Sequence, residues 1–177
     1  MYYSEYYDFN LTNLIQGLRN VEILSSNVED TIGMFYEFNE AVPLFDKLLH
    51  LSIRTNEEIC WIGLEYLLEN SPHLKHITID GFLHYNALDP ESVCDCLCDY
   101  SFLLLSPIEV LRINHFGGEY SGELVQIREM LKNLPSLVLL EVYVEPTTYD
   151  KKQKIMNDLL RLLPKDLSHC TVQVESS

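Results

Sequence analysis

The sequence predicts an α/β fold in which short parallel strands and helices alternate as one repeating unit. The pattern apolar-x-x-apolar-x-apolar recurs six times, at intervals of 26 to 34 residues. Each copy ends in the apolar/polar alternation of a strand that buries one face. Between the copies, apolar residues at helical spacing run up to a proline, which ends the helix. Helix–strand units of this size stack into a short curved solenoid, with parallel strands on the concave side and helices on the convex side.

The strand copies supply the predicted core. Their alternation assigns to it Val21, Ile23, Leu51, Ile53, Ile77, Ile79, Leu111, Ile113, Leu140 and Val142. A weaker sixth copy reads Leu167-Cys170-Val172. We expect Leu51, Ile77, Leu111 and Leu140, the central apolar residue of each copy, to lie on adjacent parallel strands.

Three amphipathic helices are predicted between the strands. Ile62, Tyr66 and Leu67 precede Pro72, the apolar residues from 124 to 134 precede Pro135, and those from 155 to 163 precede Pro164. Residues 81–107 interrupt this rhythm and predict an inserted loop with one short helix. Alternating helices and strands also define an ordinary βαβ sheet domain, which stays open as an alternative.

Composition and charge exclude several classes of protein. The 177 residues suit one domain, and 47% hydrophobic with 22% charged residues is ordinary globular usage. The formal net charge of −15 repels phosphate backbones and anionic lipid, so neither nucleic acid nor a membrane is an expected partner. The acidic surface favours a basic partner or serves solubility alone. The first eight residues do not read as a signal peptide, and the five cysteines are odd in number. These features predict reduced thiols in an intracellular protein of the cytoplasm or nucleus.

The strand residues that alternate with the core predict a candidate partner-binding surface on the concave face. Solenoids commonly bind proteins there, although a merely solvated sheet face is the simpler alternative. The candidate residues are Glu22, Ser52, Arg54, Thr78, Asp80, Arg112, Asn114, Glu141 and Tyr143, and Leu24 would lie on the same face.

Metal binding and catalysis are not expected. His50, His76 and His169 share one position of the repeat, but we expect them on non-adjacent or distant strands, too far apart for a common ion. Cys94, Cys96 and Cys98 lack the second cysteine pair that a structural zinc site needs. The chain contains no nucleophile, phosphate-loop or metalloprotease motif, so the sequence predicts no catalytic residue, no cofactor and no enzyme; a small hydrolase is the weakest reading.

The repeat spacing matches the leucine-rich repeat, whose full pattern L-x-x-L-x-L-x-x-N is met by Leu48, Leu51, Ile53 and Asn56. The stretch from Leu67 to Tyr85, which contains Asn-Ser-Pro and ends in His-Tyr, resembles the repeat of plant F-box proteins with leucine-rich repeats. The later segments 106–113, 134–145 and 167–174 look like the FBD region that closes those proteins. The resemblance divides the chain into leucine-rich repeats at 1–105, with an inserted loop at 81–107, and FBD-like C-terminal repeats with a cap at 106–177.

The resemblance implies a function. Members of this family are substrate receptors of cullin-type ubiquitin ligases, in which the F-box binds the ligase adaptor and the repeats hold the protein substrate. No segment of this sequence reads as an F-box, so we expect adaptor binding only if an F-box is supplied elsewhere. The alternative is a truncated or vestigial interaction module with no ligase role.

Overall fold

A computed structural model describes residues 11–25, 31–55, 61–81, 83, 100–117 and 121–176. Within these ranges helices and strands alternate along most of the chain. The helices are α1 (Thr12–Gly17), α2 (Thr31–Glu37), α3 (Ile62–Glu69), α4 (Ser121–Lys132) and α5 (Tyr149–Leu162). The strands are β1 (Ile23–Ser25), β2 (His50–Thr55), β3 (His76–Gly81), β4 (Val110–Phe116), β5 (Leu139–Val144) and β6 (Thr171–Ser176). Short 3-10 turns lie at Leu18–Asn20, Asn39–Ala41, Tyr100–Leu103 and Lys165–Leu167.

The six strands form one sheet whose order in space is their order in sequence, from β1 to β6. Every neighbouring pair is parallel. The α/β class and the adjacency of Leu51, Ile77, Leu111 and Leu140 on parallel strands are therefore confirmed.

The helices cover one face of this sheet. Leu51, Ile77, Leu111 and Leu140 are all 1% exposed or less, as are Ile53, Ile79, Ile113 and Val142. They form one hydrophobic cluster with side chains from each of the five helices, including Ile15, Phe35, Leu67, Ile127 and Leu159. Because the core residues of β2 to β5 alternate along each strand, the residues between them point to the opposite face.

Two helices end in the same way. The side-chain amide of Asn70 donates to the carbonyl of Tyr66 at 2.8 Å, and that of Asn133 donates to the carbonyl of Glu129 at 2.9 Å. Each bond adds a side-chain donor to a carbonyl of the last helical turn, and a proline follows two residues later. The predicted helix ends before Pro72 and Pro135 are thereby explained. Trp61 is a buried residue immediately before α3.

The structure corrects the register of the first strand. Leu24 aligns with Leu51 and packs against the core, whereas Ile23 lies beside His50 and is 65% exposed. The assignment of Ile23 to the core and Leu24 to the opposite face is therefore wrong. Val21 packs against the core but precedes the strand. Apolar residues at 21, 23 and 24 allow two registers, and a slip of one residue exchanges the two faces.

The last strand is displaced as well. Val172 pairs with Leu140 and Val174 with Val142, two residues later than the copy Leu167-Cys170-Val172 predicts. Cys170 is buried just before the strand. The inserted region contributes the short turn at Tyr100–Leu103, whereas Cys94, Cys96 and Cys98 lie outside the described residues, as does Asn56 of the repeat signature.

Candidate functional site

The sheet face opposite the helices carries a set of polar residues in register, which we call the polar face. Its members come from β2 to β5, and all except His115 sit at alternating positions, between the core residues. They are His50, Ser52, Arg54, His76, Thr78, Asp80, Arg112, Asn114, His115, Glu141 and Tyr143.

Strand pairing arranges most of the polar face in rows across the sheet. Ser52, Thr78, Arg112 and Glu141 form one row, each paired with the next. Arg54, Asp80 and Asn114 form a second row, nearer the strand ends. Seven of the nine candidate residues predicted from the sequence therefore lie in these two rows. Tyr143 does not pair with Asn114, because the register between β4 and β5 shifts between Ile113 and Phe116.

Glu22 is the one predicted site residue that the structure places apart from this set. The sequence aligns it with Ser52, but Ser25 takes that position. Glu22 is exposed ahead of β1, and its backbone carbonyl accepts from the amides of Leu49 and His50. The shift in register that exposes Ile23 also removes Glu22 from the row.

Asp80 is the centre of an ion-pair cluster on the polar face. Its carboxylate accepts from Arg54 at 3.2 Å and from the side-chain amide of Asn114 at 3.3 Å. His115 Nε2 lies 3.5 Å from the same carboxylate. Residues of β2 and β4 thus meet across the strand between them.

His115 owes its position to a distortion of β4. Its φ angle of 59° lies in the left-handed region, which is uncommon for a residue other than glycine, and it coincides with the shift in register. Bulges of this kind redirect a side chain out of the strand alternation. Period-two alternation does not reveal where a strand has a bulge. The sequence therefore did not predict His115 as a site residue.

Arg112 forms a second cluster. Its Nε donates to Glu141 Oε2 at 2.8 Å, and its Nη2 lies 2.7 Å from the same oxygen. The guanidinium also stands over the ring of Tyr143, 5.6 Å from the centroid. Two bonds and a stacked ring hold the arginine in a defined orientation.

His50 and His76 of the polar face are direct neighbours, which corrects the expectation that they lie on non-adjacent strands. His50 pairs with His76, and their rings meet edge to face with centroids 5.7 Å apart. The row that contains His50 and His76 continues through Val110 and Leu139 to Thr171. His169 therefore does not share their position in the sheet. His50 Nε2 lies 3.0 Å from the hydroxyl of Thr78, and burial lowers the pKa of His50, with smaller contributions from His76 and Arg112.

The polar face continues onto β6, which the sequence reading left out. Gln173 pairs with Glu141, and Glu175 pairs with Tyr143. Residues 172–175 alternate between apolar and polar and so indicate a strand. Because the sixth repeat copy was aligned at Cys170, two residues too early, these residues were assigned the wrong register. Glu175 is bound by Lys152 of α5 at 3.0 Å.

The described residues contain neither a candidate metal site nor a helix that could span a membrane. No group of three or more histidine, cysteine, aspartate or glutamate residues there has the geometry to hold a metal ion. In the same part of the chain, no helix combines the length and the apolar character needed to span a membrane.

Comparison with known proteins finds relatives along nearly the whole chain. An F-box/LRR-repeat protein of Arabidopsis thaliana is 52% identical over 170 residues, which cover 94% of this chain and 38% of the relative. An F-box protein of the same plant is 50% identical over 168 residues, with the same coverage of both chains. A further F-box/LRR-repeat protein is 40% identical over 171 residues, covering 95% of this chain and 36% of its own length. The chain thus spans less than two fifths of the length of these relatives. No family model and no solved structure matches.

Proposed function

The chain is related to the plant F-box/LRR-repeat proteins, and on this basis we propose that it is a protein-binding module made of leucine-rich repeats. The proposal includes the finer fold, a short curved solenoid whose C-terminal part, from residue 106, is FBD-like. Sequential parallel strands with helices on one face are the arrangement expected of such a solenoid.

The observation that carries the proposal is the polar face itself. Four neighbouring strands present polar and charged side chains in register, and the described helices all pack on the other face. The face is broad and open, which suits another protein better than a small molecule, whose sites are concave and largely apolar. Arginine and tyrosine, which dominate binding energy in protein interfaces, meet at its middle in Arg112 and Tyr143.

We propose further that the partner is a protein substrate and that the wider setting is a cullin-type ubiquitin ligase, as the resemblance implies. Binding rather than catalysis would be the role of the chain, inside the cell. The free thiol of Cys170, whose pKa is raised by burial, fits a reducing compartment.

Affinity capture from a plant extract tests the use of the polar face. We expect Tyr143→Ala to reduce the recovery of the captured protein, because it removes an aromatic contact and the support of Arg112. Tyr149→Ala is the matched control, since Tyr149 is 77% exposed on α5, in the helical layer. Equal recovery by the wild type and Tyr143→Ala, or a loss confined to Tyr149→Ala, would contradict the proposal.

A second measurement separates the ligase role from the alternative of an interaction module without one. We expect residues 1–177 not to bind the ligase adaptor by themselves, since no segment resembles an F-box. A pull-down with purified adaptor checks this expectation. Specific adaptor binding by this chain would show that a docking element had escaped the sequence reading.

A further inference from the structure

The ion pairs of the polar face expose their two partners unequally. The Arg54 side chain is 45% exposed and its partner Asp80 24%, while Arg112 is 41% exposed and Glu141 15%. His115 is 59% exposed beside the same Asp80. The two carboxylates are therefore less exposed than the guanidinium groups that they bind.

The order itself is shared by the ion pairs of α4 and α5, where Arg128, Lys132 and Arg161 are 46%, 52% and 79% exposed and their carboxylates 24%, 24% and 31%. Two pairs differ: Lys75 and Glu109 are 41% and 44% exposed, and Lys152 is 32% exposed against 57% for Glu175. What sets the polar face apart is that two guanidinium groups are held by strands of one sheet, on the face opposite the described helices.

The guanidinium groups also keep donors available. Arg112 uses Nε and Nη2 for Glu141, and Arg54 uses Nη2 for Asp80. Since each guanidinium carries five N–H donors in a rigid fork, both can donate to a second carboxylate. Arg112 is already oriented by Glu141 and Tyr143, so it loses little freedom on binding.

Resting on the proposed function, we propose that the polar face binds an acidic peptide segment of its protein partner, with Arg54 and Arg112 as the anchors for aspartate or glutamate side chains. The two arginines lie on β2 and β4, two strands apart across the sheet and one row apart along it, which separates their backbones by roughly 12 Å. Carboxylates four residues apart in an extended segment point to the same side of it and span about 13 Å. The proposal reverses the simple expectation from net charge, which favours a basic partner.

Synthetic peptides test the proposal with the intact chain. The probe is a short fluorescein-labelled peptide of glutamate, serine and glycine, with glutamates four residues apart, and binding is followed by anisotropy at low salt. The same peptide with glutamine in place of glutamate, and one with phosphoserine, are the comparisons. We expect the glutamate peptide to bind, and the glutamine peptide to bind at least about tenfold more weakly, since hydrogen bonds to charged groups are the stronger ones.

Arginine variants locate the site. Arg54→Gln and Arg112→Gln should each weaken binding of the glutamate peptide about tenfold, the loss of one charge-assisted contact. Arg128→Gln and Arg161→Gln are matched controls, because these arginines also pair with a carboxylate but lie on α4 and α5. If Arg112→Gln unfolds because Glu141 loses its partner, Arg54→Gln carries the test, since Asp80 keeps Asn114 and His115.

The proposal is overturned if the glutamine peptide binds as well as the glutamate peptide, if only the phosphoserine peptide binds, or if the control arginines matter equally. In each of these cases the proposed protein-binding function is retained if Tyr143→Ala still reduces affinity capture. If Tyr143→Ala has no effect on capture and no peptide binds, both the proposed function and the acidic-peptide proposal are rejected.

Discussion

Single core residues show how much one buried side chain contributes to this sheet. Leu111 is the central apolar residue of β4, and it is fully buried between Ile77 and Leu140 of the neighbouring strands. Leu111→Ala would leave a cavity that parallel strands on both sides prevent from collapsing. We expect a loss of ~2–5 kcal/mol in the free energy of unfolding, measured by urea titration.

Leu105→Ala is the control for that measurement, since Leu105 is 94% exposed. Its effect should stay within ~0.5 kcal/mol. A Leu111→Ala variant as stable as Leu105→Ala would show that Leu111 is not packed in the core.

The histidine pair makes stability depend on pH. His50 faces His76, Arg112 and the hydroxyl of Thr78, and its pKa lies below the ordinary 6.5 because burial and the two neighbouring bases disfavour its charged form. Below pH 6.5 the unfolded chain then binds more protons at this residue than the folded one. The contribution of His50 to stability is thus present above this pH and lost as the pH falls through the folded pKa.

We expect the wild type to lose more stability between pH 8 and pH 5.5 than His50→Gln does, as followed by thermal unfolding. His73→Gln is the control, since His73 is exposed in the turn after α3. An equal loss in the wild type and His50→Gln would contradict the assignment of this pH dependence to His50.

Between elements, α2 packs closely on α3. A Cβ atom on Gly63 would stand 1.9 Å from the backbone carbonyl oxygen of Ile32, so the two helices touch backbone to backbone. Alanine is favoured over glycine in a helix by ~1 kcal/mol, but here the clash outweighs that preference. We expect Gly63→Ala to lower the free energy of unfolding by at least ~1–3 kcal/mol.

Gly17→Ala is its matched counterpart, at the end of α1. Nothing lies within 4 Å of an added Cβ there, and the backbone is in the right-handed helical region. The same substitution should raise stability by ~0.4–1 kcal/mol. Opposite signs for the two glycines are the expected result of chemical denaturation, and a stabilised Gly63→Ala would refute the close contact.

The first strand is the weak element of the sheet. β1 has three residues, Ile23 is exposed on it, and within the described residues it pairs with β2 alone. We expect faster amide hydrogen exchange at residues 21–25 than at 139–144, because β5 lies between two strands. Slower exchange at 21–25 would indicate that another part of the chain covers this edge.

Over the whole molecule, the sequence predicted the fold where one register was possible. Strands β2 to β5 each carry the apolar-x-apolar alternation of their repeat copy, which placed both the core and the rows of the polar face. The register of the first and the last strand was predicted wrongly. An extra apolar residue, Leu24 in β1 and Cys170 just before β6, allowed a second register in each case. Contacts between strands, such as those of His115 and Asp80, depend on a backbone distortion that no local pattern encodes.

The net charge of −15 acts on the molecule as a whole. Folding brings the acidic residues together, so their mutual repulsion destabilises the compact state more than the expanded chain. The ion pairs on the surface oppose this, but partly exposed pairs contribute only ~0–1 kcal/mol each. Repulsion should therefore dominate, and added salt should screen it.

We expect the melting temperature to rise as sodium chloride is raised from low ionic strength to ~0.15 M, where the Debye length is about 8 Å. Replacing the exposed Glu37, Glu40 and Glu145 by glutamine should reduce this rise, because fewer charges repel one another. A melting temperature that falls with salt would mean that pairs such as Arg112 with Glu141 outweigh the repulsion. The salt dependence thus measures which of the two charge effects governs the stability of the sheet.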